Sequence, residues 1–139
     1  MAKTWHEKLN GSKPPFVDII DKPFGGCPAG SRLLISSPLE IKAEIDQLGP
    51  GETLDPADLR TRLAERHDAH ATCPLTTGIF LRIIAEAALV ELAEGKNESE
   101  ITPFWRVIGP KTPVAKKLTC GVEFIESRRK AEGIVDAKR

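Results

Sequence analysis

Phe80-Leu81-Arg82-Ile83-Ile84-Ala85-Glu86-Ala87 carries the clearest periodicity in the chain. Phe80, Ile83, Ile84 and Ala87 fall at i, i+3, i+4 and i+7, and Leu92 extends the stripe, which predicts a central helix. Upstream, the polar link His67 to Thr72 separates this helix from Asp55-Pro56-Ala57-Asp58. There an acidic N-cap followed by proline opens a second helix, with Leu59 and Leu63 as its apolar stripe and an end near Arg66. Further back, Ser37-Pro38-Leu39-Glu40 reads as a capping box with proline at the first helical position. Ile41, Ile45 and Leu48 give that helix one apolar face, and Gly49-Pro50-Gly51 stops it.

Outside these helices the signals weaken. Residues 1 to 30 hold Lys13-Pro14-Pro15 and Pro23-Phe24-Gly25-Gly26, so they read as an irregular arm with one short helical turn near Trp5. Trp5 and Phe16 are candidates to pin that arm to the body, and Leu33-Leu34-Ile35 reads as a short strand. Beyond the central helix, Gly95-Lys96-Asn97-Glu98-Ser99 is a stop, and Ile101 to Ile108 is a buried or extended stretch around Trp105. Val122 and Ile125 mark a last helix closed by Gly133. The expected fold is mainly α with a small β element. An N-terminal arm occupies residues 1–36, and a winged helix-turn-helix-like domain occupies residues 37–139, because two linked helices followed by an extended return fit that motif.

A chain of 139 residues has room for one core. No apolar run reaches the roughly 20 residues that span a bilayer, and Met1 to Lys13 is polar, so the expectation is a cytoplasmic protein without membrane contact. Cys27, Cys73 and Cys120 lie far apart, which suits free thiols in a reducing compartment. His67, His70 and Cys73 could be brought together around zinc, but their spacing fits no familiar ligand pattern, and neither metal nor cofactor is expected. Net charge is zero, yet residues 103–139 carry nine Lys/Arg against four Asp/Glu, while residues 37–102 carry six against thirteen. A basic end on an acidic body permits a local nucleic-acid surface, and it equally fits a solvated charged helix.

From Gly51 to Gly133 an ordered series of motifs resembles the C-terminal domain of the alkylguanine DNA alkyltransferases and their alkyltransferase-like relatives. Gly51-Glu52-Thr53-Leu54 with Ala57-Asp58-Leu59 is similar to that family's approach to the first helix of its helix-turn-helix. Arg82-Ile83-Ile84-Ala85-Glu86-Ala87 resembles its Arg-Ala-Val-Gly-x-Ala recognition helix. Ile101-Thr102-Pro103-Phe104-Trp105-Arg106-Val107-Ile108 resembles the signature Ile-Pro-Cys-His-Arg-Val, with Phe104 at the cysteine and Trp105 at the histidine. Cys120-Gly121 stands at a Gly-Gly pair, and Ala131-Glu132-Gly133 matches the closing Glu-Gly.

The resemblance implies a DNA-binding scaffold without transferase chemistry. Phe104 cannot be a nucleophile, and the Trp105 indole has one donor and no titratable base. It further implies minor-groove binding of double-stranded, alkylated DNA by the third helix, with other repair proteins acting afterwards. In that reading Arg82 fills the gap left by a flipped base, and Phe104, Trp105 and Glu132 line the base pocket. Arg106, Lys116, Lys117, Arg128 and Arg129 would lie near phosphates. The chain departs from the family at Pro56, where a tyrosine is expected, and it has no tyrosine anywhere. Insertions also lie before Cys73 and between Leu89 and Ile101. Two other readings stay open: a protein-interaction or small-ligand module on the same fold, and a transferase using Cys120, which has Lys116 and Lys117 nearby.

Overall fold

Proline marks where most of the helices start. In the computed structural model, which describes residues 3–135, Pro38, Pro56, Pro74 and Pro113 each occupy the first turn of a helix, where the missing N–H has no intrahelical partner to lose. The chain runs α1 (Trp5–Asn10), β1 (Phe16–Ile19), β2 (Arg32–Ile35), α2 (Pro38–Asp46), α3 (Pro56–Arg66), β3 (Ala71–Thr72), α4 (Pro74–Ala93), α5 (Pro113–Lys117) and α6 (Gly121–Ala131). Single 3-10 turns at Glu98–Glu100 and Phe104–Arg106 carry it from α4 to α5. The fold is mainly helical with one small sheet in the order β1-β2-β3, antiparallel between β1 and β2 and parallel between β2 and β3. Among the described residues no helix is long and apolar enough to cross a membrane.

The caps read from the sequence form, with one difference. Asp55 accepts the Ala57 N–H at 2.8 Å, and the Ser37 hydroxyl accepts the Glu40 N–H at 3.1 Å. The reciprocal half of the expected Ser37/Glu40 box is absent. The Glu40 carboxylate turns instead to the Ser36 hydroxyl at 2.6 Å and to His67 Nε2 at 2.6 Å, so it joins α2 to the end of α3.

Helix α4 is the hub. It packs on α1, α2, α5 and the Phe104–Arg106 turn, and it buries the expected Ile83, Ile84 and Ala87 together with Leu81, Ala85 and Ala88, while Phe80 and Leu92 of the predicted stripe are partly buried. Phe104 fits against it with no exposed surface. The Phe104 ring stacks on Phe124 of α6 at 5.9 Å and meets Trp105 edge-on at 5.4 Å.

Two expectations are corrected here. The first 36 residues hold more regular structure than an irregular arm. Thr4 and Glu7 form a full capping box for α1, and Phe16–Ile19 forms an edge strand that leaves all four of its residues exposed. The extended return after α4 is not a strand. Among the described residues no strand follows α4: Phe104 and Trp105 enter the core from a 3-10 turn, and Ile101, Val107 and Ile108 are buried on either side of it.

Phe104→Ala opens a cavity at the junction of α4 and α6. The expected loss is about 3 to 5 kcal/mol of unfolding free energy, measured by denaturant titration, and a loss below about 1 kcal/mol would contradict this packing.

Candidate nucleic-acid interface

Glu132, just past the end of α6, collects donors from two distant parts of the chain. Its carboxylate accepts the Trp105 indole N–H at 2.9 Å, Arg106 Nε at 2.9 Å and Nη2 at 2.8 Å, and the Gly51 N–H at 3.0 Å. Arg106 Nη1 donates to the Leu48 carbonyl at 2.6 Å. Burial alone would raise the Glu132 pKa, but the bonds from Arg106, Gly51 and Trp105 outweigh it and hold the carboxyl at about 2.

This geometry closes the base pocket expected from the resemblance. Phe104 is fully buried and Trp105 is 1% exposed, so neither ring faces a space that a base can enter. Arg106 is likewise no phosphate contact, since its guanidinium fork is taken up by Glu132 and Leu48. Arg129 Nη1 donates to the Trp105 carbonyl at 2.6 Å. Arg128 lies over the Trp105 ring at 5.3 Å and pairs with Glu98 at 3.1 Å. Arg106 within the Trp105 turn and the partly buried Arg128 and Arg129 of α6 together brace it. Lys116 and Lys117 are exposed on α5, as a solvent-facing role requires.

The nucleophile and metal alternatives fare no better. Burial, followed by the Glu86 carboxylate, pushes the Cys120 thiol above its ordinary pKa, which disfavours a thiolate. Among the described residues no cluster of His, Cys, Asp and Glu could hold a metal ion. His67 pairs with Glu40, and His70 Nδ1 accepts the Arg32 N–H at 2.8 Å.

A broad concavity lies elsewhere, over the N-terminal half of α4. It is a groove of about 780 Å³ between that half-helix, the start of α3 and α5, bounded at one end by α1. Its α4 wall presents Leu75, Ile79 and Arg82, which share one face at i, i+4 and i+7. Leu75 is 63% exposed and Ile79 51% exposed, which is unusual for large aliphatic side chains on the helix that forms the hub of the core. Arg60 of α3, Lys117 of α5 and Lys8 of α1 line the same groove, against one carboxylate, Asp55, that already caps α3. The Arg82 guanidinium lies 5.5 Å from the Trp5 ring centre, and its buried Nε has no hydrogen-bond acceptor among the described residues. No family model, curated protein or solved structure matches this chain.

Of the residues singled out from the sequence, the groove brings together Arg82 and Lys117, while Phe104, Trp105, Arg106, Arg128, Arg129 and Glu132 form the buried brace at the other site. Trp5, Lys8, Arg60, Leu75 and Ile79 were missed as site residues. For Leu75 and Ile79 a signal existed, because they repeat the Arg82 face one and two turns earlier. Lys8 and Arg60 carry no local signal, since only the tertiary fold sets them beside α4.

The depressed Glu132 carboxyl sets a pH window. A folded-state value of about 2 against an ordinary 4.5 means that the stabilisation is complete above the ordinary value and is lost as pH falls toward 2. The stability gap between wild type and Glu132→Gln, measured by urea unfolding, is expected to be wide at neutral pH and to narrow as pH falls below the ordinary carboxylate range. A gap that does not change with pH would contradict the assignment.

Proposed function

We propose that this chain is a non-enzymatic DNA-binding protein that engages DNA through the exposed N-terminal half of α4. The observation that carries the reading is the Leu75, Ile79 and Arg82 face, set among Lys8, Arg60 and Lys117. Cations at a groove's edge supply salt-dependent attraction to phosphate, and exposed aliphatic side chains beside them can wedge against bases. In this reading α3, its link and α4 act as a helix-turn-helix, with α4 as the recognition element and Arg82 as the side chain that enters the base stack.

The absence of transferase chemistry rests on three features. Phe104 has no nucleophilic atom, Trp105 donates its only polar hydrogen to Glu132, and the Cys120 thiol is pushed toward its neutral form. The resemblance to alkyltransferase-like proteins adds a target, duplex DNA carrying an alkylated guanine. Because Phe104 and Trp105 fill the core, a displaced base would be received in the α4 groove. The exposure of Leu75 and Ile79 also favours a second reading, a protein-interaction or small-ligand module that uses the same groove without DNA.

Fluorescence anisotropy of labelled duplexes, with and without one O-methylguanine, separates the two. The expected result is tighter binding to the modified duplex and affinity that falls steeply with salt. With Lys8, Arg60 and Lys117 at phosphates and Arg82 in the base stack, the log-log slope is about −2 to −3. Arg82→Ala is expected to weaken binding about tenfold. No binding to either duplex would remove the DNA reading and leave the interaction module.

A further inference from the structure

We infer that Trp5 is a nucleobase-stacking residue, so that α1 belongs to the binding site and the groove receives an unpaired nucleotide. The inference rests on the DNA reading of the α4 groove and names the form of nucleic acid that the groove takes.

The two tryptophans of the chain are held in opposite ways. Trp105 is buried and its indole N–H is bonded to Glu132, as expected for a core residue. Trp5 is only partly buried and lines the groove, and among the described residues no hydrogen bond uses its indole N–H. Two cations lie over its ring, Lys8 Nζ at 4.5 Å from the centre and the Arg82 guanidinium at 5.5 Å, and the indole packs in part against the core. Proteins hold single-stranded nucleic acid on aromatic rings with cations beside them; a base reaching this ring would take the place of the exposed Lys8 ammonium, which would then meet a phosphate.

Trp5 is not on a loose tail. The Thr4 hydroxyl accepts the Glu7 N–H at 3.1 Å and the Glu7 carboxylate accepts the Thr4 N–H at 2.8 Å, which fixes the start of α1. Leu9 is buried in the core, and His6 Nε2 meets Glu91 of α4 at 2.7 Å. The indole is therefore presented from a helix anchored along α4.

Arg82 lies in the same groove, and its guanidinium can donate to a ligand oxygen or ring nitrogen. Its buried Nε–H has no acceptor among the described residues, a state it shares with Arg128 Nε at the brace. A nucleotide offers such acceptors together with an anionic phosphate and a flat apolar face. A fully paired duplex keeps its base faces stacked and presents none to an indole, whereas a single strand, or a duplex with a weakened pair, does. Arg60 and Lys117, further along the groove, then lie where neighbouring phosphates would run.

The test uses the whole chain and a fluorescein-labelled oligothymidine, compared with a fully paired duplex by anisotropy. Wild type is expected to prefer the single strand. Trp5→Leu, which keeps apolar bulk, is expected to lose about tenfold in affinity for it, and Trp5→Phe to keep most of it. If Trp5→Leu binds the single strand as wild type does, the inference is overturned and the α4 reading stands. If neither oligonucleotide binds wild type, the α4 reading itself fails. Should Trp5→Leu not fold, the wild type decides through its own tryptophan emission. Quenching that saturates with the anisotropy curve is expected, and an anisotropy rise without quenching overturns the proposal.

Discussion

The Glu132 carboxylate joins three segments that are far apart in the chain: the end of α6, the Phe104–Arg106 turn, and the Gly49-Pro50-Gly51 loop that precedes α3. A charge with so little exposure is tolerated only with well-placed donors, and Glu132 has them from Trp105, Arg106 and Gly51. Arg106 passes the constraint on to Leu48, and Arg129 ties α6 back to the Trp105 carbonyl. The aromatic packing of Phe104 on Phe124 and Trp105 then lies within a frame fixed on every side.

That division separates the chemistry which the motifs evoke from the surface which the fold presents. The side chains at the signature Phe104-Trp105-Arg106 are structural, and each polar group there has a partner inside the protein. Around α4, by contrast, Leu75 and Ile79 face solvent, and Arg82 Nε has no acceptor among the described residues. A further charge network, Glu44 with Arg62 and Arg66 and Glu40 with His67, ties α2 to the C-terminal half of α3. The electrostatic character of the chain is local, because net charge is zero while four cations line one groove.

Much of the helical layout was legible because its signals are local. Ser37-Pro38 and Asp55-Pro56 define helix starts within two residues, and Gly133 takes the left-handed conformation, φ 77°, that closes the last helix. Strand β1 was not legible. All four of its residues are exposed, so it shows no alternation between a buried and a solvent face, and Pro14-Pro15 points to a loop. The site was only partly legible. Arg82 and Lys117 could be singled out, but their grouping with Trp5, Lys8 and Arg60 joins residues from four helices. Reading Phe104 and Trp105 as pocket walls failed for a different reason: sequence shows an aromatic pair in a motif, and only packing shows that both rings are enclosed.

In the proposed binding mode DNA meets the α4 groove and leaves the Glu132 brace untouched. The most direct measurement is an NMR titration of the nitrogen-labelled chain with an oligonucleotide, following the indole N–H signals of its two tryptophans. Trp5 reports the groove and Trp105 reports the brace. The account requires the Trp5 indole signal, with the backbone amides of Leu75 through Arg82, to move while the Trp105 indole signal stays in place. Movement of the Trp105 signal with a silent α4 face would contradict it and return the binding site to the Phe104-Trp105 turn.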